Sequence, residues 1–285
     1  MSLDADVADL WAAHEAGELD ADAEHVHDVL HEFLGALESG EVRAAEPTGS
    51  GDGADGGRAD AWEANEWVKQ GILLVFATHG IDQYEYGGVT YNDVLPLQDT
   101  SDYGQRGSRN TPDGTVVRAG AHVGADCILM SPSFVNIGAH VGDGTLVDSC
   151  DTVGSCAQIG ADVKLGANAL IGGVLEPVEG TPVVVEDGVS LGAGCRVTSG
   201  FVVGENSVVG ENTLLTPRIP VYDLVDDEVY YGELPANRRA FQRYVESSVS
   251  DEDLIPGSAY KPAVVATSLE AETLEATERE EVLRE

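Results

Sequence analysis

Between Val117 and Leu215 the chain places an aliphatic residue at every sixth position. Val117, Val123, Leu129, Val135, Val141, Val147, Val153, Ile159, Leu165 and Ile171 form an unbroken run, and the register resumes at Val185, Leu191, Val197, Val203, Val209 and Leu215. The next residue is often glycine, as at Gly124, Gly142, Gly154, Gly160 and Gly166, and the residue four further on is usually small, as at Ala121, Cys127, Ser133, Ala139, Thr145, Ala157 and Ala169. A helix repeats every 3.6 residues and a strand every two, so neither keeps a sixfold pattern on one face. A coil of three short strands with sharp turns does: the aliphatic and small residues point inward, and glycine is expected to supply turn conformations closed to other residues. The pattern therefore predicts a mainly β chain built on a hexapeptide parallel β-helix. Three hexapeptides make one coil, so residues 18 apart stack, and the sixteen aliphatic positions predict about five coils. The break at 176–184 (EPVEGTPVV) is expected to be a loop leaving one corner, and long loops on rigid scaffolds often carry function.

The flanks carry other patterns. Residues 1 to about 46 read as helical, with Asp20 as a candidate cap, Gly40 as the end, and Val26, Leu30, Phe33, Leu34 and Leu37 on one face. The stretch 47–57 (PTGSGDGADGG) reads as an acidic, glycine-rich linker or insertion. A second helix is expected from about Asp60 to Thr78, with Trp62, Trp67, Leu73, Leu74 and Phe76 as core candidates. Beyond Tyr222, Glu228–Tyr231 and Val264–Val265 suggest strands, and the tail after Thr267 reads as a helix with a capping box at Thr277 and Glu280. The expected organisation is an N-terminal helical domain over 1–109, the β-helix over 110–222, and a short C-terminal α/β extension over 223–285 that could cover the open end of the coil.

Composition narrows the function. Of 285 residues, 51 are acidic and 15 basic, a formal charge of −36, and only Lys69, Lys164 and Lys261 are lysines. Such a chain lacks the basic face that nucleic acid or an anionic membrane requires. Its self-repulsion is screened at about 1 M salt, where the Debye length is about 3 Å, so the balance points to a halophilic protein. The N-terminus lacks the basic and apolar pattern of a signal peptide, and no apolar run reaches the length of a membrane span, so a cytoplasmic location is expected. Cys127, Cys150, Cys156 and Cys195 form no C-x-x-C pair; the first and last take small inward positions, the other two lie near turns, and all should stay reduced as packing residues. His27 and His31, one helical turn apart, lack a third ligand and read as solvated. His122 and His140 should stack on adjacent coils with Gln158 continuing the column; a zinc site would need a third histidine, so turn-flanking surface residues are expected and no metal.

The segments 129–148 (LMSPSFVNIGAHVGDGTLVD), 152–160 (TVGSCAQIG), 171–177 (IGGVLEP), 185–187 (VED) and 231–235 (YGELP), together with the helix around Trp62, Trp67 and 73–76, resemble the tetrahydrodipicolinate N-succinyltransferase family. The resemblance spans nearly the whole chain apart from the acidic insertion. It implies a left-handed β-helix; handedness is not read from the repeat, since parallel crossovers are otherwise right-handed. It also implies a lysine-pathway (diaminopimelate) enzyme that moves a succinyl group from the cosubstrate succinyl-CoA to the amine of ring-opened tetrahydrodipicolinate, and a homotrimer with sites in the clefts between adjacent β-helices.

That chemistry sets requirements. The amine must be neutral to attack the thioester, which a nearby carboxylate can orient and deprotonate. The tetrahedral oxyanion needs N–H donors, and the substrate carboxylates need arginine or similar groups. By resemblance, Asp148 is the acceptor-binding and candidate catalytic aspartate, and Arg109 (RNTP) and Arg118 (V-R) are substrate-binding arginines. Arg196 (GAGCRVTSG) stands where the family pattern typically has a glutamate near the acceptor amine; either another acid such as Glu176 or Glu186 substitutes, or the substrate differs, and Arg196 is expected to bind an acceptor or succinyl carboxylate. Arg238, Arg239, Arg243 and Lys261 are the candidates for the CoA phosphates. The alternatives are an N-acetyltransferase of the same pathway using acetyl-CoA, a γ-type carbonic anhydrase, and a non-catalytic solenoid.

Overall fold

The computed structural model describes residues 2–48, 61–112, 114–247 and 259–270. The sixfold register forms the expected coil. Every one of the sixteen aliphatic residues is at most 3% exposed. Their strands are two or three residues long and pair in parallel with the strands one coil away. His122 pairs with His140 and His140 with Gln158, a spacing of 18, whereas Gln158 pairs with Val184, 26 residues on. The extra eight residues are taken up in the loop that starts at Glu176, which leaves the register above it intact.

Three parallel faces result. The first runs through Phe134, Thr152, Leu170, Arg196 and Leu214. The second runs through His122, His140, Gln158, Val184, Val202 and Glu233, six strands in all. The third starts at Arg109 and continues through Ile128, Leu146, Lys164, Ser190 and Val208 to Arg239.

The glycines differ from expectation in their reason. Gly142 and Gly154 lack a left-handed conformation; a Cβ on Gly142 would lie 2.6 Å from the Gly160 carbonyl, and one on Gly154 would lie 2.2 Å from Gly173 N. Close passage of the next coil excludes the side chain. The left-handed conformation falls two residues later, where Asp126, Gly144, Cys150, Cys156, Asp162 and Asn168 occupy it in successive turns.

Two ends close the coil. Tyr103, in a 3-10 turn Tyr103–Arg106, is 1% exposed in the coil's core at the N-terminal side. At the other end, the strand Arg238–Glu246 extends the third face and pairs antiparallel with Tyr260–Ser268, burying Ala240, Val264 and Ala266 in the same core. The extension is thus β over its described residues; the anticipated tail helix with Thr277 and Glu280 lies outside them.

The N-terminal part forms a second core. Helix α1 spans Leu3–Glu15, α2 Glu24–Ser39 and α3 Glu66–Thr78. Val26, Leu30, Phe33 and Leu37 of α2 are buried, and Gly40 ends α2 in the left-handed conformation. Helix α2 starts after Ala23, not at Asp20. The second helix starts later than expected, because Trp62–Ala64 is a strand paired antiparallel with Ala45–Pro47; most of the linker between them, residues 49–60, lies outside the described residues. Ile72, Val68 and Phe33 share a cluster with Ile137 and Cys156, so the helices dock on the corner between the first and second faces. No helix among the described residues is long and apolar enough to cross a membrane.

Candidate active site

Of the four expected substrate residues, Asp148 lies at the corner joining the third face to the first, Arg109 on the third face and Arg196 on the first. Asp148 follows the strand Leu146–Val147 and opens the turn that leads to Thr152. Arg196 begins the first-face strand two rungs above Thr152, by the pairing Thr152–Leu170–Arg196. Arg109 lies two rungs below Leu146, by the pairing Arg109–Ile128–Leu146. Strands stack about 4.8 Å apart, so each arginine stands about 10 Å from the Asp148 level along the prism axis. Both arginines are exposed, and the Arg196 guanidinium donates to the Gly194 carbonyl at 3.0 Å. One chain therefore sets Asp148 at the corner and the two arginines on the faces that meet there, at levels about 20 Å apart along the axis.

Arg118 sits elsewhere. Its guanidinium is held by Asp93 Oδ2 at 2.7 Å and Asn136 Oδ1 at 3.2 Å, over the Phe76 ring. It links the N-terminal segment to the start of the coil.

The Asp148 turn is tightly closed. Asp148 Oδ1 accepts the Ser149 N–H at 2.6 Å. The Asp148 N–H donates to Asp151 Oδ2 at 2.7 Å, and the Asp151 N–H to the Asp148 carbonyl at 3.2 Å. Asp151 itself is 1% exposed. Burial pushes its carboxyl up to about 8, against hydrogen bonds from Ala169 and Asp148 that favour the ion, and the Asp148 charge adds to the rise. Sequence reasoning passed over Asp151. The signal was present: it is the only charged residue at the inward position four after the repeat aliphatic.

The two substitute acids differ. Glu186 is committed to structure, accepting the Trp62 Nε1–H at 2.9 Å and the Glu205 N–H at 3.0 Å. Glu176 is exposed at the start of the loop. That loop is fastened from below by Lys69 of α3, a fully buried lysine whose Nζ donates to the carbonyls of Gly180 and Pro177. Desolvation lowers its pKa.

The histidine column does stack, with ring centroids 4.4 Å apart. It is a packed seam. His122 Nδ1 meets the Glu38 carbonyl at 2.9 Å, and Arg43 Nε donates to Gln158 Oε1 at 2.9 Å. Burial, with the Arg43 and His122 charges, lowers the His140 pKa to about 2. Among the described residues no three metal-binding side chains come together. Cys127, Cys156 and Cys195 are buried, and burial raises their thiols to about 11, about 12 and about 11. Cys150 alone is exposed.

The basic cluster near the C-terminus divides. Arg238 is consumed by Asp223 at 2.8 Å, Asp226 at 2.7 Å and the Ala236 carbonyl at 3.0 Å. Arg239 and Arg243 lie on the opposite side of the strand, with Phe241 between them. Lys261 pairs in register with Val245 and so shares that side. Arg243 covers the Phe241 ring at 4.1 Å. Three exposed cations on one hairpin face remain for an anionic ligand.

The family model described as the tetrahydrodipicolinate N-succinyltransferase N-terminal domain matches residues 2–78. A 2,3,4,5-tetrahydropyridine-2,6-dicarboxylate N-succinyltransferase of Methylobacterium sp. (strain 4-46) is 36% identical over 269 residues, covering 91% of this chain and 90% of the relative. The enzyme of the same name from Polynucleobacter asymbioticus is 34% identical over 265 residues, with 91% and 90% covered. A Campylobacter jejuni crystal structure, assigned as a 2,3,4,5-tetrahydropyridine-2-carboxylate N-succinyltransferase, shares the fold with a TM-score of 0.50 at 17% identity; the match covers 87% of this chain and 63% of that one.

Proposed function

This chain belongs to the tetrahydrodipicolinate N-succinyltransferase family, and on that premise we propose that it transfers a succinyl group from succinyl-CoA to the amine of L-2-amino-6-oxopimelate, the ring-opened tetrahydrodipicolinate, in lysine biosynthesis through diaminopimelate. The observation that carries the reading is likeness over nine-tenths of both chains to enzymes of that name. In this reading Asp148 orients the acceptor amine and accepts its proton as nitrogen attacks the thioester carbonyl. Backbone N–H groups at the turns stabilise the oxyanion, which collapses with loss of the CoA thiolate. Arg196 and Arg109 each bind a substrate carboxylate, though not together on one molecule, and Arg239, Arg243 and Lys261 bind CoA phosphates.

The same reading takes the coil as left-handed and the assembly as a homotrimer. A trimer would bring a second chain to the open corner at Asp148, since Arg109 and Arg196 of one chain are too far apart to close on one small molecule alone. The acidic composition supports a cytoplasm of molar salt.

The test is thiol release from succinyl-CoA and from acetyl-CoA with L-2-aminopimelate as acceptor, in molar KCl. Faster release from succinyl-CoA is expected. A preference for acetyl-CoA would reassign the donor, and no release with either would remove the activity. In the same assay Arg196→Ala should raise the KM of one substrate, and unchanged kinetics would take Arg196 out of the site. Equal activity and stability at about 0.1 M and about 2 M KCl would remove the salt reading.

A further inference from the structure

The inward small position of the repeat has a regular polar use. Thr145 Oγ1 accepts the Val163 N–H at 3.1 Å and donates to the Gly160 carbonyl at 2.9 Å, so one hydroxyl ties two coils together. Ser108 and Ser207 bridge in the same manner, and the thiols of Cys127 and Cys195 make the donor half of it. Asp151 occupies this position one turn after Thr145. Its Oδ1 accepts the Ala169 N–H at 2.7 Å, which reproduces the tie to the next coil. Its second oxygen does something the hydroxyls do not: it turns back and accepts the N–H of Asp148.

That bond changes the backbone at one place. After each neighbouring aliphatic residue the next N–H enters the ladder to the coil above, as Met130 N–H to Val147 O, Gly142 N–H to Ile159 O, Gly154 N–H to Ile171 O and Gly166 N–H to Leu191 O. The Asp148 N–H is given to the Asp151 carboxyl instead. The residue read as holding the acceptor amine is therefore the one whose main chain is held by a side chain of its own turn. Ser133, one rung below Asp151, has a buried hydroxyl without a hydrogen-bond partner, so the interior at this level is polar beneath the carboxyl.

We propose that Asp151 is a positioning residue for acceptor binding: its buried carboxyl fixes the Asp148 main chain, and through it the aim of the Asp148 carboxylate, while tying that turn to the next coil. The inference rests on the assignment of Asp148 to the acceptor site. A carboxyl is required because two N–H groups from two directions must be accepted at once; a hydroxyl in the place of Thr145 satisfies only the tie between coils.

The two duties separate in Asp151→Ser. Serine can bridge Ala169 N–H and the next coil as Thr145 does, but it cannot also hold Asp148 N–H. Steady-state kinetics of the full-length protein in molar KCl, with succinyl-CoA and L-2-aminopimelate, should show an acceptor KM raised at least about fivefold. The succinyl-CoA KM should stay at its wild-type value, and the variant should remain folded at the assay temperature. Asp151→Asn keeps the volume and serves if serine lowers the melting temperature; it too should raise the acceptor KM selectively. Asp148→Asn is measured alongside. If Asp148→Asn is impaired while Asp151→Ser and Asp151→Asn bind acceptor as the wild type does, the positioning role is overturned and the Asp148 site stands. If Asp148→Asn itself behaves as wild type, the site assignment fails and the positioning role fails with it. An equal loss for both substrates in the Asp151 variants, tracking a fall in melting temperature, would reduce Asp151 to a structural tie and overturn the proposal.

Discussion

The coil and the helical segment docked on it are held by different physics. The coil's core is one apolar column, its aliphatic residues almost wholly buried and each coil hydrogen-bonded to the next. The helical segment has its own smaller core, and several of its links to the coil are single polar contacts: Lys69 on the loop carbonyls, Trp62 on Glu186, Arg43 on Gln158, and Glu38 on the Gly120 N–H. A repeated structure distributes its stability over many equivalent layers, whereas a docked segment concentrates its attachment in a few residues. Damage to the coil should therefore be global, and damage to a tether should be local.

The largest expected effect is in the coil. Leu165→Ala should cost about 2–5 kcal/mol, because the flanking coils are rigid and cannot fill the cavity. Denaturant unfolding would read it, and a loss below about 1 kcal/mol would mean the column collapses freely. Next, Lys69→Met should leave the carbonyls of Pro177 and Gly180 without their donor, at about 1–3 kcal/mol. Hydrogen exchange should speed up across 176–184 while the coil strands keep their protection; uniform acceleration would contradict a local tether.

Smaller, and opposite in sign, are two pH effects. His140 is held far below its ordinary value, so its native neutral form stabilises the fold above about pH 6.5, and that contribution is lost as acid falls toward about 2. Asp151 is raised to about 8, so the native state holds its proton more tightly than the unfolded chain; its contribution is full below about pH 4 and is lost as pH rises through about 8. Melting temperatures of wild type, His140→Asn and Asp151→Ser across pH 4–9 should show the acid slope reduced in the first variant and the alkaline slope reduced in the second. Parallel curves for all three would refute both burials.

The coil was legible because its interior obeys one period, and the loop at 176–184 was legible as a break in that period. Helix α2 was legible from Val26, Leu30, Phe33 and Leu37 for a similar reason. The strand Trp62–Ala64 was read as helix because its partner, Ala45–Pro47, is far away in sequence and adjacency could not show the pairing. The hairpin of Asp82–Tyr86 with Val89–Asp93 was missed: its strands are largely exposed on both sides, so no apolar alternation marks them. At the site, Asp148, Arg109 and Arg196 came from motif and charge, and the coil geometry then set Asp148 on a corner with Arg109 and Arg196 on the two faces that meet there. The division of the arginine cluster was not legible, since it depends on a strand phase that places Arg238 against buried Asp223 and Arg239 on the other side. Asp151 was visible as an anomaly in the register, but its two hydrogen bonds depend on the turn geometry.

Binding and activation of the acceptor amine at the corner carrying Asp148 can be tested on one residue. The most direct measurement is acceptor-dependent thiol release from succinyl-CoA by wild type and Asp148→Asn, in molar KCl, with folding checked by melting temperature. If Asp148 accepts the amine proton, kcat/KM falls at least about 100-fold in a variant that remains folded. A folded Asp148→Asn variant with wild-type kcat/KM would contradict it.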